Sequence, residues 1–266
     1  MASRHRRGYG GRTMIHYHGT PISGDTAVQV RALKAKHAMV SFASSSHVGL
    51  VAEVCQSFCI DNGAFSAWKG GKALDIEGYA EFVEHWLRHP AFDFYVIPDV
   101  IDGAVEENLK LLGRWSNITK HRMLSHGAPV WHMHEPIEVL RDYCNAFYRV
   151  CIGSSGEYSV IGSARWWSRM AEAMTAVTDD DGFPKCKLHG LRMLDPTVFS
   201  HIPLSSADST NVARNAGIDT AWKGTYIPQT REARALILSE RIESHASAMR
   251  WAGSEVGALK NEELFG

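Results

Sequence analysis

The sequence predicts a single-domain α/β protein of the (β/α)8-barrel class, also called the TIM barrel. Three observations support this prediction. The chain has 266 residues, a normal length for such a barrel. Short apolar segments alternate with amphipathic helical segments along the chain, and there are eight of these apolar segments. Eight strands alternating with helices favour a closed parallel barrel over a doubly wound open sheet, which usually has fewer strands.

The predicted strands are short, apolar and bounded by turn residues. In chain order they cover residues 14–17, 38–42, 57–60, 92–97, 129–133, 149–152, 187–191 and 198–204. The eighth is the weakest, because it contains Ser200 and His201 and because Pro203 could interrupt it.

The helices predicted from the apolar spacing cover residues 24–36, 47–56, 75–88, 104–115, 136–147, 164–177 and 231–252. The segment 75–88 is typical of them, since Ile76, Tyr79, Val83 and Trp86 recur at helical spacing. No repeat or linker divides the chain, so residues 13–266 are expected to form one domain.

Composition restricts the class of protein. Hydrophobic residues make up 45% of the chain and charged residues 21%, which allows a large core, and no apolar run is long enough to span a membrane. Residues 1–12 are basic and glycine-rich without an apolar segment, so they predict a flexible tail, or an arm that touches phosphates, and not a secretory signal. The five cysteines are interpreted as reduced, buried thiols of a cytoplasmic protein.

Candidate functional residues follow the predicted strands, because barrel enzymes carry their chemistry at the C-terminal strand ends. Asp61 and Asp99 each come directly after an apolar strand, where an ionised carboxylate needs partners or a task. Asp208 follows the eighth strand, although an aspartate there can also cap a helix. We expect these three carboxylates to share one barrel mouth.

A small-residue loop follows the sixth strand. Gly153, Ser154, Ser155 and Gly156 would let a planar ligand or a phosphate approach the backbone N–H groups closely. Such loops are also ordinary tight turns, so this signal is weak by itself.

Several of these stretches resemble the tRNA-guanine transglycosylases. Residues 61–65 read Asp-Asn-Gly-Ala-Phe and resemble that family's Asp-Ser-Gly-Gly-Phe segment, and residues 152–157 resemble its Gly-Gly-Leu-Ala-Val-Gly-Glu loop. Asp99 falls where the family has its base-recognition aspartate, and Asp208 where it has its nucleophile. The stretches 18–21, 61–68 and 205–211 are more similar to the short phage-type relatives that act on DNA. There is no cysteine after Cys186, so the zinc site of the tRNA enzymes is absent, which favours DNA over tRNA as the substrate.

The resemblance implies an enzyme that exchanges guanine in DNA for a free 7-deazaguanine base such as preQ0, without a cofactor or a metal. It implies Asp208 as the nucleophile, Asp61 as the general acid and base, and Asp99 as the group that binds the Watson–Crick edge of the base. Further expected substrate contacts come from the loop 153–156 and from four side chains: His18, Phe65, His132 and Arg192. Expected phosphate contacts come from four basic residues: Lys69, Lys72, Arg214 and Lys223. The protein is expected to be a monomer or homodimer, in the host cytoplasm if it is phage-encoded.

Three alternatives stay open at this point. One is a transglycosylase that acts on tRNA. The second is a metal-dependent barrel hydrolase related to the amidohydrolases, because His16 and His18 alternate on the first strand and His132 and His134 on the fifth. The third is a base-binding or DNA-binding barrel without catalysis, which would tolerate the loss of Asp208. The net charge of −1 does not separate them, since any nucleic-acid surface must be a local patch.

Overall fold

The computed structural model describes residues 14–22, 24–210, 212 and 227–253, and these residues form a single-domain α/β barrel of the TIM type. The predicted tail, residues 1–12, lies outside the described residues, as do Arg214 and Lys223. All strand pairs of the barrel are parallel, in the order β5-β4-β3-β2-β1-β9-β8-β7-β6. The strands are β1 Ile15–Gly19, β2 His37–Ser41, β3 Ser57–Asp61, β4 Phe92–Val96, β5 Gly127–Ala128, β6 Val130–His132, β7 Arg149–Gly153, β8 Lys187–Gly190 and β9 Ser206–Ser209.

The predicted fifth strand, residues 129–133, is present as β6, and a short strand segment that was not predicted, β5, lies before Pro129. The segment before the proline, β5, pairs with β4, and the segment after it, β6, pairs with β7. Proline has no N–H to donate to a neighbouring strand, which accounts for a break at this position. Because β5 and β6 are consecutive in the chain and together occupy one strand position, the nine strands fill the eight strand positions of a nearly closed barrel.

Helices lie between the strands and cover the outside of the barrel. They are α1 Thr26–Leu33, α2 Val48–Val54, α3 Ala64–Lys69, α4 Ile76–Trp86, α5 Val105–Thr119, α6 Ile137–Ala146, α7 Ala164–Val177, α8 Pro196–Phe199 and α9 Arg231–Glu243. The seven predicted helices are confirmed, although the last ends at Glu243 and not at residue 252.

The prediction of the eighth strand was wrong. Residues 198–204 begin inside the short helix α8, and the strand that closes the barrel is β9, further along the chain. The Asp195 side chain accepts a hydrogen bond from the N–H of Thr197, and Pro196 occupies the first turn, which together favour a helix start. As a result Asp208 lies within β9 and not in the loop after it.

The core has two parts, one inside the barrel and one between the strands and the helices. The inner part includes Tyr17, Met39, Cys59 and Phe94. The outer part is larger and takes the alternate strand residues together with the apolar helix faces. All five cysteines are buried and form no disulfide, as predicted for the thiols. Within the described ranges, no helix combines the length and apolar character that a membrane crossing requires.

Candidate active site

Three carboxylates meet at the mouth of the barrel. Asp61 ends β3, Asp208 lies in β9, and Asp99 follows β4. The three carboxylates are close enough to interact, since the negative charges of Asp208 and Asp99 both contribute to the raised pKa of Asp61. Burial raises the pKa of the Cys151 thiol inside the barrel, and the charges of all three aspartates raise it further. The mouth therefore concentrates negative charge in one place.

Asp61 is held in position at the end of β3. Its Oδ2 accepts a hydrogen bond from the Ser41 hydroxyl (2.8 Å) and another from the N–H of Gly63 (3.0 Å). Gly63 has φ of 79°, in the left-handed region that favours glycine. Burial raises the pKa of Asp61 to about 6, against a usual value of 3.8. A carboxyl group with a pKa close to neutrality can both give and take a proton.

The raised pKa of Asp61 predicts a pH-dependent gain in stability on replacement by asparagine. The folded state binds the Asp61 proton more tightly than the unfolded state, so the ionised carboxylate opposes folding above pH 6 and not near pH 4. We expect Asp61→Asn to raise the free energy of unfolding by about 1–2 kcal/mol at high pH, after allowing for partial solvent access.

Urea denaturation of both proteins at pH values on either side of 6 measures this difference. Asp180→Asn, a change in an exposed turn, is the matched control and should leave the pH dependence unchanged. If Asp61→Asn destabilised the protein equally at every pH, the raised pKa would be wrong.

Asp99 is held by two neighbours. The Asn62 amide donates to its Oδ1 (2.6 Å), and Nε2 of His132 lies 2.9 Å from its Oδ2. Burial lowers the pKa of His132, but the adjacent Asp99 carboxylate outweighs it, so the pKa is raised. The two atoms are close, but their alignment is not that of a full hydrogen bond. Nε2 of His132 is buried and has no hydrogen-bond partner among the described residues. His132 and Asp99 therefore present a donor and an acceptor side by side.

Asp208 has one oxygen engaged. Its Oδ1 accepts from the backbone N–H of Arg192 (2.9 Å) and lies 3.4 Å from Nε2 of His189. Nδ1 of His189 lies 2.8 Å from the hydroxyl of Ser206. Burial lowers the pKa of His189, so this imidazole is neutral near pH 7. Among the described residues none donates a hydrogen bond to Oδ2 of Asp208.

Phe65 and Arg192 lie over the mouth. The Arg192 guanidinium carbon is 5.3 Å from the centre of the Phe65 ring, and the two come from the loop after β8 and from the start of α3. Arg192 has φ of 61°, a strained value for a residue other than glycine, and this conformation accompanies its N–H bond to Asp208. A cation and an aromatic ring in this arrangement can cover a flat heterocycle.

The loop 153–156 borders the mouth, but its residues differ in orientation. A Cβ on Gly153 would lie 3.2 Å from Nδ1 of His132, so the absence of a side chain leaves room for that imidazole. The Ser155 hydroxyl bonds His134, which stacks on His132. The Ser154 hydroxyl accepts from the indole N–H of Trp166 in the helix layer (2.8 Å). Of the two serines, Ser155 is therefore the one next to the mouth, and Ser154 could contact a ligand there only through its backbone.

The expectation that His18 binds substrate was wrong. Strand alternation places Tyr17 inside the barrel and His18 outside, where its Nε2 bonds Glu243 of α9 (2.7 Å). His16 also faces outward and bonds the backbone oxygen of His245. The first-strand histidines of the proposed metal site therefore lie away from the mouth. Among the residues that the structure describes, no three His, Cys, Asp or Glu side chains are grouped to hold a metal ion.

The expected phosphate contacts are partly described. Lys69 and Lys72 are exposed on and after α3, beside the mouth. Sequence reasoning missed Ser41, Asn62 and His189 as neighbours of the carboxylates, and Ser206 as the partner of His189. Asn62 adjoins Asp61 in the motif at 61–65 and could have been included, whereas His189 becomes a partner of Asp208 only when β8 and β9 pair.

Comparisons with known proteins support the fold. No family model and no curated protein matches the chain. A proposed fructose-1,6-biphosphate aldolase from Coccidioides immitis aligns with a TM-score of 0.50 at 12% identity, covering 88% of this chain and 92% of that one. A chain of the tryptophan synthase complex from Pyrococcus furiosus aligns with a TM-score of 0.48 at 11% identity, covering 87% and 96%. The protein is thus a TIM-barrel-like α/β protein with an acidic mouth, and this distant similarity indicates nothing more specific.

Proposed function

We propose that the protein is an enzyme, a DNA-guanine transglycosylase that exchanges guanine for a 7-deazaguanine base. The observation that carries this proposal is the group of three carboxylates in one mouth, each with different partners. Asp61 has a pKa close to neutrality, Asp99 sits beside a buried donor, and Oδ2 of Asp208 accepts no hydrogen bond from the described residues. Double displacement at a glycosidic carbon needs a proton-transfer group and a nucleophile, and recognition of guanine needs an acceptor.

The first half-reaction forms a bond between Oδ2 of Asp208 and C1′ of the target nucleotide. The C1′–N9 bond to guanine breaks, and N9 takes the proton of the neutral Asp61 carboxyl. In the second half-reaction the incoming base gives its N9 proton to the Asp61 carboxylate and attacks C1′, which releases Asp208. Two inversions give net retention, and the protons balance over the cycle.

Asp99 and His132 supply recognition of the base. The Asp99 carboxylate matches the N1–H and exocyclic amine of guanine, while the Nε2–H of His132 suits its carbonyl oxygen. Phe65 and Arg192 cover the base. The target nucleotide must leave the base stack to reach this mouth. Neutral His189 lies 3.4 Å from Oδ1 of Asp208 and adds no positive charge that would neutralise the carboxylate.

DNA is proposed over tRNA because the chain lacks the zinc-binding cysteines of the tRNA enzymes that it resembles. The test is incubation of the protein with labelled guanine and either DNA or tRNA, with labelled adenine as the control base. Label from guanine alone should enter DNA. Label in tRNA alone would establish the tRNA alternative, and label in neither polymer would exclude base exchange.

A further inference from the structure

A cleft of about 540 Å³ opens beside Asp99, on the outer side of the mouth. Residues from α3, from the segment before α4, and from α5 line it. None of the catalytic steps proposed above uses this cleft. Because Asp99 borders both spaces, a ligand that fills the mouth and continues along its chain would enter the cleft next.

The cleft offers an aromatic platform. Trp68 lines it with 53% of its surface exposed, which is unusual for so large an apolar side chain. Its ring centre is 5.8 Å from that of Phe65, at an angle of 36°. Small apolar residues, Ala64, Ala67 and Ala73, are also among the residues that line the cleft. A second flat group could stack here while the first lies under Phe65.

The cleft also carries positive charge. Lys72, Lys110 and Arg114 line it, and Asp99 is the one acidic side chain among the described lining residues. The single negative charge of Asp99 is smaller than the three positive charges of these side chains, so the described lining carries a net positive charge. Arg114 pairs with Glu77 at the surface, which leaves the two lysines as the cations of this cleft that are not in a described ion pair.

We propose that this cleft binds the nucleotide next to the extruded one in a single-stranded segment of the substrate. Its base stacks on Trp68, and its phosphate lies between Lys72 and Lys110. An exposed aromatic ring with adjacent cations is the usual combination for single-stranded nucleic acid. A free base does not fit this role, because it carries no phosphate for the lysines. That the ligand is the nucleotide next to the extruded one rests on the proposed function, whereas the binding of single-stranded nucleic acid in this cleft does not.

The test compares variants in binding a short single-stranded DNA oligonucleotide, measured by fluorescence anisotropy at several salt concentrations. Trp68→Ala should weaken binding about tenfold or more at every salt concentration, since stacking is insensitive to salt. Lys110→Ala should weaken binding less and reduce the slope of log affinity against log salt by about 0.7. Both side chains are exposed, so neither change should disturb folding.

The matched controls are Tyr148→Ala and Lys187→Ala, an exposed aromatic residue and its neighbouring lysine at the opposite end of the barrel. Both controls should bind like the wild type. Unchanged binding in Trp68→Ala and Lys110→Ala, or equal losses in the controls, would overturn the proposal. Base exchange is measured in parallel. If the wild type shows no exchange but the cleft variants lose binding, the proposed role of the cleft is supported and transglycosylation is refuted. If the wild type exchanges bases and the cleft variants bind DNA as the wild type does, transglycosylation is supported and the proposed role of the cleft is refuted.

Discussion

Replacing Asp208 with asparagine should abolish base exchange, with a fall in rate on the order of 10⁴ or more, as expected when a covalent nucleophile is removed. Asparagine has nearly the same shape, and its oxygen can still accept the N–H of Arg192, so folding should be preserved. The amide cannot form the glycosyl ester, because its oxygen is a poor nucleophile. The measurement is the initial rate of labelled guanine incorporation into DNA.

Two controls separate lost chemistry from lost structure. The melting temperature of Asp208→Asn should stay near that of the wild type, and its affinity for the free 7-deazaguanine base should be retained, because Asp99 and His132 are intact. A variant that still exchanged bases at a substantial rate would remove Asp208 from the nucleophilic role. The third alternative, a non-catalytic base-binding barrel, predicts that wild type and variant are equally inactive.

Replacing Asp99 with asparagine should change which base the site accepts. The carboxylate offers two acceptors, which suit the N1–H and amine donors of guanine, whereas asparagine offers one acceptor and one donor. That pattern suits xanthine, which has a carbonyl where guanine has the amine. We expect the kcat/KM for guanine to fall on the order of 10²–10³-fold, because a buried polar group is left mismatched.

The measurement is competition between labelled guanine and xanthine for incorporation by each protein. Asp102→Asn, an exposed change three residues further on, is the control and should keep the wild-type preference for guanine. If Asp99→Asn lost activity towards both bases equally, Asp99 would act through the structure of the mouth and not through recognition. If it kept the preference for guanine, the proposed contact would be wrong.

Much of the fold could be predicted because its signals are local. Seven of the eight predicted apolar segments are strands that alternate with helices, and Asp61 and Asp99 lie at or just after the ends of two strands with clear apolar patterns. The last strand could not be predicted in this way. Residues 206–209 read Ser-Ala-Asp-Ser and lack an apolar pattern, whereas the helical and loop segment before them is apolar because it packs in the outer core.

The orientation of His18 shows a second limit. Strands of a parallel barrel are buried on both faces, so alternation along the chain does not reveal which residues point inward. Tyr17 faces the interior and bonds Asp93, while His18 bonds Glu243 of α9, more than two hundred residues away in the chain. The partners of Asp208 depend in the same way on pairing between strands that are distant from each other in sequence.

In the proposed mechanism the Asp208 carboxylate attacks C1′ of the target nucleotide. Incubation with guanine-containing DNA in the absence of a free incoming base, followed by rapid denaturation and peptide mass spectrometry, tests it most directly. The account predicts a protein–DNA adduct on the peptide that contains Asp208, and no adduct in Asp208→Asn. An adduct on any other residue, or base exchange that proceeds without an adduct, would contradict it.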